Sequence, residues 1–184
     1  VAIEFNNSRV IVSNHLLQSF YIFSYFTDGF AYAGEALVGK FIGCNDKNSL
    51  TKVIRLLLLW GFSISIPFTI LYVLFPSTFV KIISDSPNIL SEIKPYYIYM
   101  AVIPIITFAA FIWDGIYIGA TASKAIRNTM IISSIFIFLP IWYILTPRLG
   151  NHGLWIAFLS FMIARGIVMT VLAKNNIIQN VKNQ

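Results

Sequence analysis

The sequence predicts an all-α membrane protein of five transmembrane helices, and three observations carry that prediction. Long apolar runs alternate with short polar gaps. Only 11% of the 184 residues are charged, against 58% of hydrophobic type, where soluble domains average about 25% charged. The basic residues crowd one set of alternate gaps. The net charge of +6 is scattered over those gaps rather than gathered on one face, which argues against a nucleic-acid partner. The single cysteine, Cys44, rules out an intrachain disulfide and a cysteine zinc cluster, and reads as a plain free thiol. The chain opens on Val1 with no signal-peptide pattern before the first apolar run. It is therefore expected to be a fragment whose N-terminal part is absent.

Residues 1–12 are mixed (Glu4, Asn6, Asn7, Arg9) and read as an entry loop. The first span runs from about Ser13 to Gly43, longer than a hydrocarbon core of about 30 Å requires at about 1.5 Å per residue, so tilt or projection is expected. Cys44 to Lys52 is polar. The second span, 53–75, holds Leu56-Leu57-Leu58-Leu59-Trp60 and Pro67, a proline that neighbouring helices make tolerable. The gap 76–92 carries Lys81, Asp85 and Pro87, with a short interfacial helix expected at Phe79–Ile83. The third span, 93–120, begins with Tyr96, Tyr97 and Tyr99 at an interface, holds Pro104, and ends with Asp114-Gly115 and Gly119. The fourth covers 129–145 with Pro140 inside. Thr146 to Gly153 is a turn by composition. The fifth covers 154–173 with Arg165 near its middle, and a polar tail follows (Lys174, Asn175, Asn176, Lys182 to Gln184).

Lysine and arginine set the orientation. One side holds Lys40, Lys47, Lys52, Arg55, Lys124, Arg127, Lys174 and Lys182; the other holds Arg9, Lys81, Lys94 and Arg148. Eight against four places the first set, and the C-terminus, in the cytoplasm. No internal repeat and no low-complexity segment appears.

Acidic residues inside spans are the candidates for chemistry, because an ionised carboxylate in hydrocarbon costs roughly 2.5–3.5 kcal/mol or more and must face a wet cavity or a partner. Asp28 and Glu35 are seven positions apart, about two helical turns, and so share a face; Glu35 also has Lys40 as a possible partner. Asp114 is the sharpest single candidate, able to exchange a proton or sodium ion for a cationic substrate; the plainer reading is a packing carboxylate. Arg165 is a structural ion-pair cation whose natural partner is one of these acids. Tyr32, Trp113 and Tyr117 either line an aromatic cavity for a flat cation or simply pack. Gly115 and Gly119 fit the small-xxx-small pattern. His15 and His152 read as interface residues. No nucleophile–base–acid set, phosphate loop or metal-ligand spacing is present, so no enzyme and no metal site is expected.

Asp28-Gly29-Phe30-Ala31-Tyr32-Ala33-Gly34-Glu35-Ala36-Leu37-Val38-Gly39-Lys40 resembles the eighth helix of the DinF-like branch of the MATE (multidrug and toxic compound extrusion) transporters. Trp113-Asp114-Gly115-Ile116-Tyr117-Ile118-Gly119-Ala120-Thr121, with Arg127-Asn128, resembles that branch's tenth helix and the loop after it. Leu149-Gly150-Asn151-His152-Gly153-Leu154-Trp155 and Ala164-Arg165-Gly166 resemble its last two helices. The resemblance implies a twelve-helix fold of two six-helix lobes, of which this chain is most of the C-terminal lobe, helices eight to twelve, without the N-terminal lobe and helix seven. It implies efflux of small organic, often cationic compounds in exchange for H+ or Na+ by alternating access. The implied setting is the bacterial cytoplasmic (inner) membrane, with lipid and the other lobe as partners and no cofactor beyond the coupling ion. In the sodium-coupled branch a C-lobe cation site uses an aspartate in helix ten, which falls on Asp114; the tyrosine one turn earlier is Ala110 here, and the helix-seven glutamate lies outside this sequence. In the DinF-like branch the proton-linked acid is assigned to the N-terminal lobe. Two alternatives stand beside this: a lipid-linked oligosaccharide flippase of the same superfamily, which calls for a more basic cavity, and a non-transporting membrane scaffold.

Overall fold

The computed structural model describes residues 2–83, 87–173, 175 and 177. Eight α-helices run in order: α1 (Ala2–Gly43), α2 (Lys47–Leu74), α3 (Pro76–Ile83), α4 (Pro87–Ile93), α5 (Tyr97–Gly119), α6 (Ser123–Ser133), α7 (Leu139–Leu149) and α8 (Asn151–Ala173). A 3₁₀ turn, Lys94–Tyr96, leads into α5, and a π-helical turn, Ser134–Phe138, joins α6 to α7. No strand occurs among the described residues. Asp85 and the greater part of the expected polar tail, Lys174, Asn176 and Lys182 to Gln184, lie outside them.

The sequence expectation of an entry loop over 1–12 is corrected. Helix α1 begins at Ala2, because nothing between Ala2 and Val12 is a glycine or proline to stop it. Four helical stretches are long and apolar enough to cross a membrane: Lys47–Leu74, Leu90–Gly119, Ser123–Leu149 and Asn151–Ala173. At 42 residues α1 is the longest helix, yet it is not among them, since Asn14, His15, Gln18, Asp28 and Glu35 dilute its apolar content. The expected fourth span, 129–145, is part of a continuous helical run from Ser123 to Leu149. Its Pro140 follows the π-helical turn. The ring removes one backbone donor and crowds the carbonyl four residues back, on Phe136, and the widened turn makes room for it.

Helix α5 is the hub and packs against α1, α2, α6 and α8. The most apolar window of its span is 56% buried, against 11% for Ser123–Leu149, so α5 is the core and the α6–α7 run is an outer wall. That wall turns Ile131, Ile132, Ile135, Phe136, Trp142 and Tyr143 outward, a surface suited to hydrocarbon. The buried apolar side chains form two clusters. One gathers Leu16 and Phe20 of α1, Tyr72 of α2, Met100 and Ile103 of α5 and Trp155 of α8. The other gathers Val38, Leu57, Ile112, Ile116 and Met169 from the opposite ends of the same helices. Hydrogen bonds between helices pin them: the Tyr72 hydroxyl donates to the Ser19 carbonyl at 2.8 Å in a buried bond, and, partly buried, Trp113 Nε1 donates to Thr170 Oγ1 at 2.8 Å and Ser13 Oγ donates to Asn151 Oδ1 at 2.9 Å.

The turns have local causes. Asp46 caps α2 by accepting from the Ser49 backbone N–H at 3.0 Å. A side-chain hydrogen bond from Ser49, then that backbone bond, holds its carboxyl below the usual range. Gly150, at φ 57°, ends α7 in a conformation that favours glycine. Thr121 also sits at φ 55°, where a β-branched side chain is strained. Thr121→Gly is therefore expected to raise the stability of the purified protein by about 1 kcal/mol, read as a higher thermal midpoint in detergent.

Candidate functional site

The site is built by the crossing of α1 and α5. A Cβ on Gly115 would fall 2.6 Å from the Ala31 carbonyl carbon, and one on Gly119 would fall 2.9 Å from the Glu35 Cα. The two helices thus touch backbone to backbone, as small residues one turn apart allow. This contact sets the register of the acids. Asp28, Ala31, Tyr32 and Glu35 from α1 and Phe111, Asp114, Gly115 and Ile118 from α5 line one hollow of about 160 Å³. Along α1, Asp28 lies between Phe20 of the first apolar cluster and Val38 of the second; along α5, Asp114 lies within the second cluster, between Trp113 and Ile116.

Arg165 of α8 is buried, with 7% of its surface exposed. Its Nη2 lies 2.5 Å from both carboxylate oxygens of Asp114. Its Nε has no hydrogen-bond partner among the described residues. The partner that the sequence left open is therefore Asp114, 51 positions away in the chain. Asp28 and Glu35 are both half-buried. Among the described residues neither has a basic side chain within ion-pair distance. Lys40, offered as a partner for Glu35, instead lies 5.9 Å from the centroid of the Phe41 ring. With Asp114 neutralised by Arg165, the two α1 carboxylates leave the hollow an acceptor of positive charge when ionised.

The aromatic residues divide. Tyr32 is 70% exposed and forms part of the hollow's wall. Tyr117, expected to line a cavity, does not line this one. Its ring is fully buried, and its hydroxyl donates to the Met169 carbonyl at 2.7 Å. Trp113 meets it edge-on with ring centroids 5.9 Å apart, so both rings bind α5 to α8. His15 is buried with Nδ1 2.8 Å from the Ile11 carbonyl, and His152 stacks on Tyr96 at 4.3 Å. Phe111 and Ile118 are wall residues that the sequence reading passed over. They stand at i−3 and i+4 from Asp114, so helical periodicity alone would have found them. No group of three or more His, Cys, Asp or Glu side chains is placed to hold a metal among the described residues.

A bundle of long apolar helices, with three carboxylates meeting where α1 crosses α5, defines a multi-pass membrane protein. Residues 12–144 match the MatE family, so the chain belongs to the MatE family. It is also 29% identical over 166 residues to the DNA damage-inducible protein F of Escherichia coli (strain K12). That alignment covers 90% of this chain and 36% of the relative, so the chain spans about a third of the relative's length. The family match includes Asp28, Glu35 and Asp114; Arg165 lies beyond its end.

Proposed function

We propose that this chain forms most of the C-terminal lobe of a secondary active efflux transporter in a bacterial cytoplasmic membrane, with its C-terminus in the cytoplasm. The transporter expels small organic, often cationic, compounds in exchange for H+ or Na+ by alternating access. The observation that carries this reading is the meeting of Asp28, Glu35 and Asp114 on one hollow. Its size supports a division of roles. About 160 Å³ is room for roughly five waters at about 30 Å³ each, which suits a hydrated ion or a proton. Drug-sized ligands take about 300–1,000 Å³, so the organic substrate needs the larger space that a second lobe would enclose. Asp28 and Glu35 are the carboxylates open to an exchanging cation, and Asp114 is held by Arg165. Because Arg165 is matched by an acid, it does not supply the surplus positive charge that a pyrophosphate-binding flippase requires.

The test is transport by the full-length protein in proteoliposomes, using a fluorescent organic cation with and without a pH or sodium gradient. Asp28→Asn and Glu35→Gln are each expected to lower gradient-driven flux about tenfold, the scale of one lost charge interaction, with unchanged amounts of protein in the membrane. Flux equal to the parent in both variants would remove the hollow from the coupling mechanism.

A further inference from the structure

On the side of α5 away from the acidic hollow, α2 and α8 stand apart and leave a groove. It consists of two hollows, of about 510 Å³ and about 370 Å³, which share Phe108, Ala109 and Thr170 as walls and so run into one another. At about 3.6 residues per turn, its floor residues Ile105, Ala109 and Trp113 fall on the opposite face of α5 from Phe111, Asp114 and Ile118, which line the acidic hollow. A second lobe laid over the hollow is therefore across α5 from the groove. The outward-turned Ile163, Ile167 and Val171 of α8 form the groove's rim and suit hydrocarbon.

The groove is graded from end to end. Thr51, Arg55, Leu58 and Phe62 stand at i, i+4, i+7 and i+11, one stripe of α2, and all four line it. The stripe is polar at the basic end of the bundle and apolar beyond. From Thr51 to Phe62 it rises about 16 Å, close to the depth of one leaflet in a hydrocarbon core about 30 Å thick. The floor has no polar group to spare: Trp113 Nε1 donates to Thr170 Oγ1, which donates in turn to the Gly166 carbonyl. At the polar end, Thr51 Oγ1 donates to the Lys47 carbonyl. Arg55 has neither a hydrogen-bond nor an ion-pair partner among the described residues. A guanidinium next to Leu56-Leu57-Leu58-Leu59, with no acid in reach, calls for a counter-anion.

We propose that the groove holds an acyl chain of an anionic phospholipid, with the phosphodiester on Arg55 and the chain running past Leu58 and Phe62 toward Ile105 and Ile163. Charge complementarity selects the anionic headgroup, because no acid of the described chain matches Arg55 and its planar fork suits phosphate oxygens. The leaflet-deep apolar slot selects a lipid over a soluble anion. The site rests on the membrane embedding of the bundle and is independent of the transport reading.

The experiment is native mass spectrometry of the full-length protein in detergent, with lipids added back. The probes are phosphatidylglycerol, phosphatidylcholine of the same chains, and dihexanoyl phosphatidylglycerol. Long-chain phosphatidylglycerol is expected to be retained about fivefold more strongly than phosphatidylcholine, the effect of one arginine at an anionic surface, and the dihexanoyl form is expected to be lost. Arg55→Gln, a change at an exposed position, is expected to bring phosphatidylglycerol down to the phosphatidylcholine level without moving the thermal midpoint of the delipidated protein. Phosphatidylglycerol with a photoreactive chain end is expected to label residues 105–109 and 163–171. Equal retention of the two long-chain lipids, or an undiminished preference in Arg55→Gln, overturns the proposal. Retention of the dihexanoyl form overturns the acyl groove, and labelling confined to other segments means that a protein helix covers the groove and overturns the lipid assignment.

Discussion

Gly115→Leu is expected to prevent α1 from docking on α5. The new side chain would begin with a Cβ 2.6 Å from the Ala31 carbonyl carbon, and the obstacle is backbone, which cannot rotate away. Overpacking against movable side chains costs about 1–3 kcal/mol; against a fixed backbone the loss is expected to reach at least about 3 kcal/mol, enough to remove most folded protein from the membrane. Gly115→Ala is expected to do less, though still measurably. Gly29 is the control, because a Cβ there meets nothing within 4 Å and Gly29→Ala removes a flexible residue from a helix, so it is expected to be neutral or mildly stabilising. Detergent-stable yield and thermal midpoint of the three variants check the ranking. A Gly115→Leu protein as stable as the parent would mean that α1 and α5 do not cross at this point.

Arg165→Leu is expected to be the most damaging change at a charged position. It strands Asp114, whose side chain is only 24% exposed, without its cation. Breaking a buried pair by removing one partner costs about 3–5 kcal/mol, and the partial exposure of Asp114 argues for the lower end. Asp114→Asn strands Arg165 in the same way, so a loss of efflux in that single variant would mix lost chemistry with lost folding. The double variant Asp114→Asn/Arg165→Leu separates them. It is expected to recover most of the stability, since replacing both charges is often close to neutral. A thermal-stability cycle over the four proteins measures the coupling. Additive losses would show that the two side chains do not interact in the folded protein.

The parts of this architecture legible in the sequence are those with a short-range signature. The seven-residue interval between Asp28 and Glu35 placed both acids on one side of α1, and both line the same hollow. The Gly115–Gly119 pair announced a close crossing, and the crossing brings Asp114 to them. What was not legible depends on chain separation or on competing roles for one residue type. Nothing near Arg165 in the sequence distinguishes Asp114 from Asp28 or Glu35 as its partner, since the choice is made by the packing of α8 on α5. Tyr117 looked equally suited to a cavity wall and to the core, and its hydroxyl found the Met169 carbonyl. The start of α1 read as loop because of its polar residues, although polarity without a glycine or proline does not end a helix.

The central claim is that the α1–α5 hollow is wet and open to cations. Thiol accessibility tests it most directly, in the full-length protein with Cys44 and every other native cysteine replaced by serine. Tyr32→Cys, in the wall of the hollow, is expected to react with a charged, membrane-impermeant thiol reagent much faster than Phe136→Cys on the outer apolar wall, and an organic cation substrate or the coupling ion is expected to slow it. If Tyr32→Cys reacts no faster than Phe136→Cys and no cation protects it, the three carboxylates are not gathered around an aqueous exchange site.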